Sequence, residues 1–425
     1  MTIFFLNKKD IKPKFFLFCG YYLIFLSAFY INENSTGGAY QDYLGYKDLI
    51  NLFLKDFKET LLTFDQYGER HSPLTIIILS FLFKLELSDE IIRFIFFNFS
   101  IVSIIFFYKC LRIKFKSTNS NYLFALSLIF FLSPVFRSLS VWPDSRIIGF
   151  HFFIISIFFY LKYFDQKKIV FCYLNVVFLA ISSYFSINFC IFGIFFLYKF
   201  YQNLIINKKL LNYFILNLFL AFPAFYYLFI LDVFFIDPGL TPGNENDFFG
   251  FNNNLNFSNK ILIIGSIFFF YLLPFIFYYK DQFFLKGVNL KELFIIFIFF
   301  VLNILIFNYE IIFTGGGIFF KVSNYFFQNN IFFYIISLYS LIIIYLILIK
   351  EKRIDNLILI LLILISNPQL SIYHKYYDPL VMILFFLITV HYLPKKFISN
   401  KKNLVIIYLF YLMFVSARIY KNLVF

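Results

Sequence analysis

Residues 74–85, LTIIILSFLFKL, decide how this chain is read. The run is apolar but only about a dozen residues long, and a helix needs about 20 to cross a bilayer. Counted as a span, it would place residues 109–116 on the outer side and reverse every later basic cluster. Set aside as an interfacial or re-entrant helix, it leaves a consistent charge pattern. Basic clusters at residues 8–14, 109–116, 162–168, 199–209, 280–291, 350–353 and 395–402 then share one side, with two apolar runs between successive clusters. The positive-inside rule makes that side cytoplasmic.

Working outward, the expected spans are 15–31, 91–108, 122–136, 147–163, 169–184, 187–200, 210–231, 261–279, 293–309, 331–349, 354–370, 379–393 and 404–420. The expected fold is an all-α polytopic transmembrane helical bundle of about 13 spans, one integral membrane domain over residues 1–425. Its N-terminus is cytoplasmic and its C-terminus outside. Composition agrees: 61% of residues are apolar and 14% charged, against about 25% charged in soluble domains. The net charge of +14 is a topology signal with some attraction to anionic membrane lipid, not a nucleic-acid footprint. The basic start followed by Phe15 to Ile31 reads as an uncleaved first span, too long for a signal core and lacking a small-x-small exit. Cys19, Cys110, Cys172 and Cys190 show no metal-ligand spacing. The expected location is a bacterial plasma membrane.

Just before the deciding run lies the longest polar interval, GGAYQDYLGYKDLINLFLKDFKETLLTFDQYGERHSP, residues 37–73. It falls in the first outer loop, residues 32–90, the expected catalytic region. Residues 49–64 have helical period, with Leu52, Phe53, Phe57, Leu61 and Phe64 on one side, and read as a surface helix. Asp42 then precedes that helix and His71 follows it. Asp48, Asp56 and Glu59 read as its solvated face, and Asp65 and Glu69 as weaker candidates. The second outer loop, RSLSVWPDSR at 137–146, holds Asp144 and Arg146 at the mouth of the next span, and Trp142 suits an interface belt. Asp144 is either functional or a helix cap. The last outer loop, NPQLSIYHKYYDPL at 367–380, clusters His374, Lys375 and Tyr376, either phosphate contacts or an ordinary interfacial belt. Gly315-Gly316-Gly317 reads as a flexible turn, without the strand and helix of a phosphate-binding loop.

GAYQDY, ERHSPL, VWPDS and IYHKYYDPL, set on this topology, resemble the GT-C superfamily of membrane glycosyltransferases, of the protein O-mannosyltransferase or lipid A aminoarabinose transferase type. The resemblance implies a GT-C-like fold with juxtamembrane helices and an active site on the outer face. It implies a polyprenyl-phosphate sugar donor, an acceptor hydroxyl on a lipid, glycan or protein, and metal independence with no cofactor; a divalent ion shared by Asp42 and Asp144 is the open alternative. Asp42 would be the base of an inverting transfer and Asp144 would orient the acceptor or hold His71. Arg70, His71, Arg146, His374, Lys375 and Tyr376 would meet the departing phosphate. Tyr43 follows Asp42 where the superfamily has an acid, and His71-Ser72-Pro73 replaces its His-Pro-Pro. The rival expectations are an O-antigen-type polymerase, a lipid-linked sugar flippase or transporter, and a membrane scaffold.

Overall fold

The computed structural model describes residues 11–34, 38–67, Glu69, 71–204, 208–231, 256–278, 289–310, 315–349, 354–367, 372–400 and 402–424. All regular structure among them is helical, and no strand is found among the described residues. The chain forms two compact units, Met1–Glu245 with Tyr411–Phe425, and Asn246–Phe410.

In the first unit the helices are α1 (Ile11–Tyr30), α2 (Ala39–Lys55), α3 (Phe57–Leu62), α4 (Leu74–Lys84), α5 (Asp89–Lys114), α6 (Ser120–Leu132), α7 (Pro134–Val141), α8 (Ser145–Gln166), α9 (Ile169–Phe185), α10 (Phe192–Leu204) and α11 (Lys208–Phe225). The second holds α12 (Phe257–Tyr278), α13 (Leu290–Ile306), α14 (Gly317–Phe327), α15 (Ile331–Ile344), α16 (Ile354–Ile365), α17 (His374–Ile388) and α18 (Leu393–Ser399); α19 is Lys402–Val424. Among the described residues six helices are long and apolar enough to cross a membrane, or up to eight if each of the bent pairs α6–α7 and α17–α18 is one span. The other expected spans fall on the shorter α9, α10, α13, α15 and α16. The deciding run forms α4, of 11 residues, packed against α2.

Three loop expectations are corrected. The surface helix expected at 49–64 begins at Ala39 and breaks at Asp56, so Asp42 lies inside the first turn of α2 rather than ahead of it. The break has a local cause: Asp56 is extended, and its carboxylate accepts the Glu59 N–H at 2.9 Å, capping α3. Of the loop expected at 137–146, residues 137–141 belong to helix α7 and 145–146 to α8. Ser133 caps the Phe136 N–H at 3.2 Å, Pro134 takes the first helical position, and the chain bends by 63° from α6. Arg137 and Trp142 are buried rather than facing outward. Beyond the Gly315–Gly317 turn, α14 occupies what was read as loop.

Aromatic packing and a few polar ties join the helices of the first unit. Phe25 of α1 stacks on Phe97 of α5 with ring centroids 4.0 Å apart, and Phe107 on Phe130 of α6 at 4.8 Å. Arg137 is fully buried and pairs with Glu33 at 2.8 Å; its remaining donors reach Ile24 O at 2.6 Å and Ser27 Oγ at 3.2 Å. A buried arginine is tolerated only when so paired. The Trp142 indole N–H donates to Glu33 O at 3.1 Å, and the Arg93 guanidinium lies 3.8 Å over the Trp142 ring. Together these ties fix the junction from which α8 starts. Along α8 and α9, Asn175 Nδ2 donates to Ser156 Oγ at 2.8 Å, and Ser182 Oγ to Gly149 O at 2.7 Å. A Cβ at Gly149 would stand 2.9 Å from Ser186 Cβ, so only glycine permits this approach.

Candidate functional site

In the first unit, Asp144, Arg146 and Asp42 converge, the two acids from helix starts far apart in the chain. Asp144 is extended and caps α8, its Oδ1 accepting the Arg146 N–H at 2.7 Å. The same carboxylate takes the Arg146 side chain in a fork: Nε at 2.9 Å on Oδ1 and Nη2 at 2.5 Å on Oδ2. The alternatives left open for Asp144 are thus not exclusive, since one carboxylate caps the helix and fixes the arginine. Arg146 Nη2 also donates to Asp42 Oδ2. The guanidinium therefore bridges two acids, and the three charges sum to −1.

Burial grades across this bridge. The Asp144 side chain is 1% exposed and that of Arg146 9%, while Asp42 is 36% exposed. The Asp144–Arg146 fork is the inner, dry end and Asp42 the end that solvent reaches.

Helix α2 carries a second contributor. Tyr46 lies four residues, one turn, beyond Asp42, so the two share a face. Its hydroxyl donates to Ser145 Oγ at 3.2 Å. Burial first, then the charges of Glu69 and Asp144, push the Tyr46 phenol well above its ordinary value; Arg146 and the Ser145 bond oppose them. On the neighbouring stripe, the Tyr43 hydroxyl donates to Asp89 Oδ1 at 2.6 Å, and Lys47 pairs with Asp89 at 2.9 Å. These bonds hold α2 to the start of α5 and so fix where Asp42 points.

His71 sits in the bend ahead of α4, half-buried, with its backbone N–H on Glu69 Oε1 at 3.0 Å. Ser72 Oγ donates to Tyr184 O, tying that bend to the end of α9. Arg70 lies outside the described residues.

The late cluster belongs to the second unit. His374 Nδ1 is 3.2 Å from the Tyr271 hydroxyl, and its ring stands edge-on to Phe270. Lys375 Nζ lies 5.0 Å over the Tyr373 ring, and Tyr376 packs against Tyr373 and Tyr377. Ile372 anchors the segment: its N–H donates to the Tyr309 hydroxyl at 3.1 Å and its carbonyl accepts the Gly316 N–H at 2.9 Å. A Cβ at Gly315, where φ is +88°, would lie 2.6 Å from Ile372 O, so the triple glycine is a fitted support rather than a slack turn.

Among the expected site residues, Asp42, Asp144 and Arg146 are brought together in the first unit, and His374, Lys375 and Tyr376 are neighbours in the second. Sequence reasoning passed over Tyr46 and Ser145. The signal for Tyr46 is its spacing of four from Asp42, which shows only once the helix starts at Ala39 rather than at residue 49. Among the described residues no three His, Cys, Asp or Glu side chains gather as a metal-binding group. Compared with protein-family models, curated proteins and solved structures, the chain matches none.

Proposed function

We propose that the chain is an inverting glycosyltransferase with a GT-C-like fold of about 13 spans, moving a sugar from a polyprenyl-phosphate donor to an acceptor hydroxyl on the outer face of a bacterial plasma membrane. The observation that carries the proposal is the Arg146 bridge between Asp42 and Asp144. It offers a solvent-reachable carboxylate and a fixed cation side by side, which a transfer onto a hydroxyl with a phosphate leaving group needs.

The acceptor oxygen attacks the anomeric carbon as the carbon–oxygen bond to phosphate breaks. The bonding electron pair leaves on the polyprenyl phosphate, and the hydroxyl proton passes to the Asp42 carboxylate. Arg146, held in place by Asp144, meets the charge that develops on the phosphate. Tyr46 stays protonated beside them and supports Ser145. His71 and Arg70 are further candidates from the same loop. In the second unit, His374, Lys375 and Tyr376 are proposed as headgroup contacts on the same chemical grounds. The second unit also holds a cleft of about 520 Å³, the size of a ligand pocket, lined mainly by apolar side chains of α12, α13, α15 and α16 together with Glu292 and Tyr345.

The test is release of free polyprenyl phosphate by purified protein in lipid, over a panel of polyprenyl-phosphate sugars, for wild type and Asp42→Asn. Release lost in the variant supports the proposal. Equal release from both moves the base to another residue, and no release from any donor favours a polymerase or flippase.

A further inference from the structure

We infer that the Arg146 guanidinium is an anion site whose resting occupant is the Asp42 carboxylate, and that an incoming phosphate takes Asp42's place. This rests on the glycosyl-transfer proposal only for what the phosphate belongs to; the anion site stands on geometry.

The two carboxylates on Arg146 are not equivalent. Asp144 holds the guanidinium by Nε and Nη2 and caps its own helix with the same oxygen, in a setting 1% exposed. Displacing it would leave a buried carboxylate unpaired and uncap α8, so this end is fixed. Asp42 takes the guanidinium from the 36% exposed end, through Nη2. Water replaces that bond at small cost, as for other half-exposed pairs. A phosphate oxygen that reaches Nη2 from solvent competes for the donor that Asp42 holds. Both cannot take that one Nη2 hydrogen in full strength.

The consequence is an order of events. Before the phosphate binds, the Asp42 oxygen is engaged with the guanidinium. When the phosphate replaces it, that Asp42 oxygen leaves the guanidinium and can accept the acceptor's proton. The donor thus binds first and releases the base; the acceptor alone finds Asp42 occupied.

The experiment measures equilibrium binding of inorganic phosphate, farnesyl phosphate and farnesol to the full chain in detergent. Wild type, Asp42→Asn and the exposed control Asp48→Asn are compared. Removing the competing carboxylate tightens both phosphates by about tenfold in Asp42→Asn, a difference of about 1.4 kcal/mol. Asp48→Asn changes neither, and farnesol binding is the same in all three. Tightening of farnesyl phosphate alone assigns the site to a lipid phosphate; tightening of both assigns it to phosphate as such. Equal phosphate affinity in wild type and Asp42→Asn overturns the inference, as does equal tightening by Asp48→Asn, or failure of every variant to bind either phosphate. The two proposals separate cleanly. Tightening without sugar transfer from any donor keeps the anion site and removes the glycosyltransferase. Transfer that Asp42→Asn abolishes without altered phosphate affinity does the reverse.

Discussion

Replacing Asp144 tests the inner half of the site, because asparagine and alanine remove different things. Asparagine keeps an oxygen on the Arg146 N–H and so keeps the cap, but loses the charge facing a guanidinium that is 9% exposed. Breaking a buried pair from one side costs about 3–5 kcal/mol. Arg146 retains its bond to Asp42, which lowers the expected loss for Asp144→Asn to about 2–3 kcal/mol. Alanine also removes the cap, adding about 1 kcal/mol. At about 3 °C per kcal/mol for a unit of this size, thermal unfolding in detergent falls by about 6–9 °C for asparagine and about 9–12 °C for alanine. Phosphate release falls in both. An asparagine variant with unchanged unfolding temperature, or an alanine variant no worse than asparagine, would refute the assignment of Asp144 as fixed anchor and cap.

Arg137→Met, which removes the Glu33 carboxylate's cation, should lower the unfolding temperature far more than the double replacement Arg137→Met with Glu33→Leu; comparing the two reads the difference, about 3 kcal/mol. Gly149→Ala drives a Cβ to 2.9 Å from Ser186 Cβ and 3.0 Å from Ser182 O and should destabilise the first unit by about 1–3 kcal/mol; partial recovery in a Gly149→Ala, Ser186→Gly pair confirms the Ser186 contact. Tyr46 has a folded-state value raised above the ordinary 10.0, so the folded chain holds that proton more tightly. The stability this contributes is full below pH 10 and is lost as pH rises through the folded value. Tyr46→Phe should therefore flatten the alkaline fall in unfolding temperature, and an unchanged slope would count against it.

Much of the first unit was legible in local pattern. The apolar runs placed the starts of α1, α5, α8 and α11 to within a few residues, and the length of 74–85 matched the short helix α4. The start of α2 was legible as well, though it was missed: Ala39, Tyr43, Tyr46, Ile50 and Phe53 recur at steps of four and three and are all buried. Its glycine-rich entry and exposed acids mask that stripe. Arg137 was not legible. RSLS reads as a polar loop until Glu33, over a hundred residues earlier, neutralises the charge and lets the segment bury. The site follows the same division. Each member of Asp42, Asp144 and Arg146 could be named from its neighbours in sequence, but their bridge depends on α2 lying against the start of α8, which no local signal encodes.

The Glu33–Arg137 pair also bears on how the chain is made. Glu33 leaves the ribosome 104 residues before its partner, which at about 5–20 residues per second is a wait of about 5–20 s. During that interval the acid closes the end of an apolar helix with no arginine to meet it. Glu33 stands three residues past the end of α1, so the junction it makes with α7 closes only after residue 137 has been made. The contact that ties the end of α1 to α7 is thus one of long sequence separation, made late in synthesis however early α1 forms.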